Sequence, residues 1–169
     1  MKHGFPLAAL LASSLACTSW QRVGSEKTPT PDALLPGMFD LSVAYRRMGF
    51  LAHGPPVAFV GTVRYLAGPS PDSTLALFAA SIANNTLSFR RTGSGFDASY
   101  RVEVRFDIAG SSQAISSTEA VRVAGFLETQ RADESVLFQK SVYLPPGKGR
   151  VEVTFRDLNT KGYGRDSAV

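Results

Sequence analysis

Phe96-Asp97-Ala98-Ser99-Tyr100-Arg101-Val102-Glu103-Val104-Arg105-Phe106-Asp107-Ile108 decides the fold. Phe96, Ala98, Tyr100, Val102, Val104, Phe106 and Ile108 fall at every second position, with Asp97, Ser99, Arg101, Glu103, Arg105 and Asp107 between them. Side chains change face at every residue along a strand and drift around the axis of a helix, so a helix would scatter these apolar residues. The stretch is predicted as a long strand with one face in a core and the other in water. Its outer charges alternate in sign, as cross-strand ion pairs on a solvated sheet face require. A charged binding surface is the other reading of the same row.

Outward from this strand the same period recurs. Val151, Val153 and Phe155 alternate with Glu152, Thr154 and Arg156. Val136, Phe138, Val142 and Leu144 share a parity that Lys140 interrupts, and Val121 and Val123 flank Arg122. Val57–Leu66 and Thr74–Ile82 are apolar on both parities, which predicts central strands, and Leu87–Arg90 predicts a short one. Turn signals separate them: Gly68-Pro69-Ser70-Pro71-Asp72, Asn84-Asn85, Thr92-Gly93-Ser94-Gly95, Gly110-Ser111-Ser112 and Pro145-Pro146-Gly147. Many short strands with no helix between them indicate an all-β fold, best fitted by an immunoglobulin-like antiparallel β-sandwich over residues 55–169. Ahead of it, Leu41, Ala44, Tyr45 and Met48 have helical spacing. Asp40 stands at the cap and Gly49 at the C-terminal stop, so residues 38–54 read as a short helix and a loop.

The start of the chain has a different character. Lys2 and His3 precede an apolar run, Leu7 to Ala16, and then the sole cysteine, Cys17. A basic start, about ten apolar residues and a small residue before a cut site make a secretory signal peptide over residues 1–16. The run is shorter than the roughly 20 residues a bilayer span needs. Ser14-Leu15-Ala16-Cys17 resembles the bacterial lipobox, although Ser14 stands where Leu is usual. The resemblance implies that Cys17 is acylated and becomes the new N-terminus, with an ordinary signal peptide as the alternative. Residues 17–37 are polar and broken by Pro29, Pro31 and Pro36, which suits a lipid-anchored tether. The expected location is the cell envelope, with Thr18 after the cysteine suggesting outer-membrane sorting toward the periplasm.

Cleavage before Cys17 leaves 153 residues and removes one charge, Lys2, so the net charge falls from +4 to +3. Mild, interspersed charge is not the clustered basic stripe of a nucleic-acid binder. A chain of this length makes one domain and buries most of its apolar surface without disulfides.

Gly95-Phe96-Asp97-Ala98-Ser99-Tyr100-Arg101-Val102, Glu128-Thr129, Asp133 to Gln139, Leu144-Pro145-Pro146-Gly147 and Val151-Glu152-Val153 with Asp157 resemble the β-sandwich part of bacterial GWxTD-domain proteins. Phe59-Val60-Gly61 and Pro71 to Leu75 are also similar, so the resemblance spans roughly residues 40–160. It implies an envelope lipoprotein. The motif naming that family is absent, since the only tryptophan is Trp20. This leaves two readings, a short variant or a truncated member whose active portion lies further on.

Catalytic and metal chemistry find little support. The only histidine beyond the leader, His53, lies in a Gly/Pro-rich segment, and a hydrolase triad would have to use it. Zinc ligation needs clustered Cys and His, no calcium loop is spelled out, and Glu119, Glu128 and Glu134 are not brought together by any sequence feature. No cofactor is expected. Two segments remain as candidates for protein contacts. Glu128, Gln130, Arg131, Asp133 and Glu134 form a polar connection that reads either as a solvated loop with local Arg–carboxylate pairs or as a recognition loop. Val151, Val153 and Phe155 are expected to lie in an edge strand that Tyr163–Val169 covers poorly, open to self-association or to an extended peptide. The sequence therefore points to a non-catalytic binding or structural module, held at the membrane through Cys17.

Overall fold

A computed structural model describes residues 40–169. The expected leader, Cys17 and the expected tether lie outside the described residues. Helix α1 (Leu41–Arg47) is followed by strands β1 (Leu51–His53), β2 (Phe59–Ala67), β3 (Thr74–Ala83), β4 (Arg90–Thr92), β5 (Gly95–Ile108) and β6 (Ser111–Val123), a single helical turn α2 (Phe126–Thr129), and strands β7 (Ser135–Leu144), β8 (Gly149–Asp157) and β9 (Tyr163–Ala168). All strand pairs are antiparallel. One sheet, A, has the order β1-β2-β3-β7; in the other, B, β5 is flanked by β6 on one edge and by β4 and β8 on the other, with β9 beyond β8. The order β2-β3-β7 facing β6-β5-β8-β9 is that of A-B-E facing C′-C-F-G in the immunoglobulin plan.

The core lies between the sheets. Every second residue of β5 from Ala98 to Ile108 is buried, while Arg101, Glu103, Arg105 and Asp107 are exposed. Phe155 sits at the centre, its ring 4.7 Å from Phe59 and between 6.3 and 6.4 Å from Tyr100, Phe78 and Phe138. Burying one such side chain stabilises by about 1.5–3 kcal/mol. Gly61 makes room for Phe78, because a Cβ there would lie 3.2 Å from the ring and from Ala79 O. At the N-terminal end, Asp40 caps α1 by accepting from Ser42 N at 2.9 Å, and Gly49 ends it at φ +85°.

Four local expectations need correction. Leu51–His53 is a strand, β1, rather than loop. The short strand expected at Leu87–Arg90 begins only at Arg90. Ser88 leaves the ladder because its N–H donates to Asp157 Oδ2 (2.8 Å) and its carbonyl accepts from Asn159 Nδ2 (2.7 Å). The strand expected at Ala120–Ala124 is the end of the 13-residue β6, which starts at Ser111 after a turn formed by Ala109 and Gly110.

Val151, Val153 and Phe155 do not form the expected edge. They are 5%, 0% and 0% exposed and lie in β8, between β5 and β9. Tyr163–Ala168 pairs with β8 in register, so this strand is interior and offers no edge. The polar composition of β9 hid it: Arg165 reaches Glu152, Arg150 Nη2 donates to Ser167 Oγ (2.7 Å), and Asp166 Oδ2 accepts from Ala52 N (2.8 Å). That last bond ties β9 to β1 across the two sheets. On the opposite side, β6 pairs only with β5 and β7 only with β3 among the described residues.

Candidate binding surfaces

The polar connection Glu128–Glu134 is held by its own charges. Arg131 forks onto Asp133 (Nε to Oδ1 3.0 Å, Nη2 to Oδ2 2.7 Å), and its Nη1 meets Glu134 Oε1 at 2.5 Å. The guanidinium beside it holds the Asp133 carboxyl down at about 2. Glu128 turns back to accept from Ala124 N (3.0 Å). The backbone is fixed as well, with Asn84 N donating to Glu134 O (2.9 Å) and Asn85 N to Arg131 O (3.2 Å). Buried Asn84 also donates from Nδ2 to Glu134 Oε2 (3.2 Å). Gln130 reaches only its neighbour, Thr129 Oγ1 (3.1 Å). The charges of this loop are thus spent on one another, on Ala124 N and on the Asn84–Thr86 turn.

His53 is half-buried, with Nδ1 at 2.6 Å from Gly54 O and its ring stacked near-parallel on Phe59 at 6.3 Å. Glu119 accepts from Ser117 Oγ (2.5 Å), well apart in its bonding from Glu128 and Glu134. No group of three or more His, Cys, Asp or Glu gathers at metal-binding distance among the described residues.

The outward faces of the two sheets differ in chemistry. On sheet B, Arg105 pairs across with Glu152, Asp107 with Arg150, and Asp97 with Arg122, the last as a bidentate ion pair at 2.7 and 3.0 Å. On sheet A, the registered outward rows are Val60, Thr62, Arg64 and Leu66 on β2, Leu75, Leu77, Ala79 and Ser81 on β3, and Leu137, Gln139, Ser141 and Tyr143 on β7. Arg64 is the one charge among them. Leu66, Leu137 and Tyr143 are more than half exposed. Helix α1 lies against β1 at one end of this face. Beside it a shallow groove of about 190 Å³ opens, floored by the small Thr62, Ala79 and Ser81 and walled by Phe50, Val60 and Leu137. Sequence reasoning missed this face because a strand that is apolar on both parities reads as doubly covered, as β2 and β3 were.

The chain matches no protein-family model and no curated protein. Among solved structures it is similar to the Northeast Structural Genomics Consortium target SoR45, at 10% identity, over 67% of this chain and 85% of that one, with a TM-score of 0.43. It is also similar to a protein described as the putative ApaA protein from Bordetella pertussis, at 12% identity, over 70% of this chain and 94% of that one, with a TM-score of 0.38. No helix among the described residues is long and apolar enough to cross a membrane.

Proposed function

We propose that this chain is an envelope lipoprotein of the GWxTD-resembling kind, acylated at Cys17, whose sandwich is a non-catalytic module that binds a protein partner. The observation that carries the binding role is the apolar outer face of sheet A. An immunoglobulin-type sheet that faces only water presents charge, as sheet B does through Arg101, Glu103, Arg105 and Asp107. Sheet A instead presents leucines and a tyrosine. The occupant that fits is an amphipathic helix. Helix α1 packs against β1, the strand beside β2 in this sheet. The strands left uncovered among the described residues, β2, β3 and β7, span about 10–15 Å, the width of one helix.

The test uses the full chain in a bacterial host, with a photo-crosslinking residue at Leu137 or, as control, at Arg105. The wild-type chain is expected in the membrane fraction and Cys17→Ala in the soluble fraction. Leu137 is expected to give an adduct whose cross-linked residues recur at helical spacing on an envelope protein, and Arg105 none. A wild-type chain that is already soluble, or equal labelling from the two positions, would overturn the proposal.

A further inference from the structure

On the side of the sandwich away from β1 and β9, two long strands, β6 and β7, each have a free edge among the described residues, and they are protected differently. Natural sheets guard edges with inward-pointing charge, proline, bulges or short length. β7 follows this rule. Lys140 stands opposite the buried Phe78, at a core-facing register position, yet it is exposed. A strand added there would trap its ammonium.

β6 is built the other way. It runs 13 residues, pairs with β5 one to one from Ser111 to Val123 without a bulge, and contains no proline. Ser111-Ser112-Gln113-Ala114-Ile115-Ser116-Ser117-Thr118 carries no charge at all. Its single core-facing charge, Glu119, is directed along the strand onto Ser117 Oγ rather than across the edge. Ile115 and Val121 pack against the core but stay half-exposed, so the rim of the core is open along this strand.

We propose that β6 pairs antiparallel with β6 of a second copy of this chain, about a two-fold axis through Ser117, joining the two B sheets into one continuous sheet. A two-fold axis normal to the sheet keeps inward residues opposite inward residues, since directly opposed residues point to the same face. With the axis at Ser117 all positions of β6 find a partner. On the outer face, Ser116 meets Thr118, Ala114 meets Ala120 and Ser112 meets Arg122, so small residues oppose one another and no like charges meet. On the inner face Ile115 meets Glu119 and Gln113 meets Val121. An axis at Glu119 or Arg122 would set two like charges against each other, which disfavours those registers. A partner strand of matching length whose charges avoid one another is what this edge accommodates, and in this register the chain itself supplies one. The pairing stands whether or not Cys17 is acylated.

The test uses the full chain with Cys17→Ser, which leaves no other cysteine. Sedimentation across a concentration series is expected to show a monomer–dimer equilibrium. Ser117→Lys, which sets two ammonium groups against each other at the axis, is expected to leave monomer at every concentration with an unchanged circular dichroism spectrum. Ser117→Cys in the same background is expected to give a disulfide-linked dimer under mild oxidation, because residues at the axis lie about 4.5–5.5 Å apart, within the reach of a disulfide. Ala114→Cys is expected to stay unlinked. Should Ser117→Cys disturb folding, mixed Ser116→Cys and Thr118→Cys chains read the same register by linking to each other and not to themselves. A monomer throughout, a dimer that survives Ser117→Lys, or equal linking at positions 114 and 117 would overturn the proposal.

Discussion

β5 and β6 are hydrogen-bonded neighbours, matched residue for residue from Phe96–Val123 to Ile108–Ser111, yet one is written plainly in the sequence and the other is not. β5 has two different faces to serve. Its inward row packs on sheet A and its outward row meets water, so apolar and charged residues alternate without error. β6 lies at the margin of the sandwich, where neither face is fully buried, and selection for alternation is weak. Its inward row mixes Gln113, Ile115, Ser117, Glu119 and Val121. What shows in a sequence is the contrast between two environments, and an edge strand has little contrast to show.

The largest expected effect tests that difference in burial. Phe106 is 1% exposed and packs in the core, so Phe106→Ala should cost about 3–5 kcal/mol. Arg105→Ala, one residue away on the water face, should stay within about 0.5 kcal/mol. Urea denaturation of the two variants decides it, and comparable losses would mean that β5 is not two-faced. Ile115, the β6 residue with an inward position opposite Val104, is half-buried, so Ile115→Ala should cost only about 1 kcal/mol. A loss near that of Phe106 would show that β6 is not a margin but part of the core proper.

The same contrast explains which parts of the fold were legible. β5, the inward row of β8, and the doubly apolar β2 and β3 were readable because burial imposes a pattern. α1 was readable because Asp40 and Gly49 mark its ends. β9 was not, because it covers β8 with polar side chains that find partners in Glu152, Arg150 and Ala52. The edge assigned to Val151, Val153 and Phe155 failed for that reason. Asp157 escaped notice as a structural residue, although it is 1% exposed and accepts from Ser88 N and Asn159 N. Nothing local in a sequence says that a carboxylate will meet backbone donors from a segment 69 residues away. The apolar face of sheet A was hidden by a related ambiguity, because strand composition reports that both faces are apolar and not what covers them.

A smaller effect is expected at the turn that joins the two strands. Ala109 (φ 51°) and Gly110 (φ 79°) both have positive φ, between the paired Ile108 and Ser111. Two-residue hairpins of this kind favour Asn-Gly, and an ordinary L-residue with left-handed backbone costs about 1–2 kcal/mol, a penalty Asn largely avoids. Ala109→Asn should therefore stabilise the chain by about 0.5–1 kcal/mol, read as a higher denaturation midpoint with unchanged slope. A loss of stability would place the turn elsewhere and shift β6 relative to β5.

The smallest expected effect probes the register directly through one pair. Tyr100 on β5 stands opposite Glu119 on β6. Its hydroxyl is pushed up to about 12, first by burial and second by the Glu119 charge. A phenolate is disfavoured both by loss of water and by a nearby carboxylate. The folded state therefore holds this proton more tightly than the unfolded chain, where tyrosine has its ordinary value of 10.0. The contribution to stability is complete below that value and is lost as pH rises through about 12. Subtracting the absorbance titration of Tyr100→Phe from that of the parent isolates the one phenol. Glu119→Gln removes the second cause and leaves the first, so the midpoint should fall yet remain above the ordinary value. Stability at neutral pH should not change through this phenol, since Tyr100 is uncharged there in both states. An unmoved midpoint would mean that Glu119 does not face Tyr100, and the register of β6 would then be wrong by at least one residue. A midpoint at the ordinary value would mean that Tyr100 is not buried, and with it the distinction between the core strand and its margin would fail.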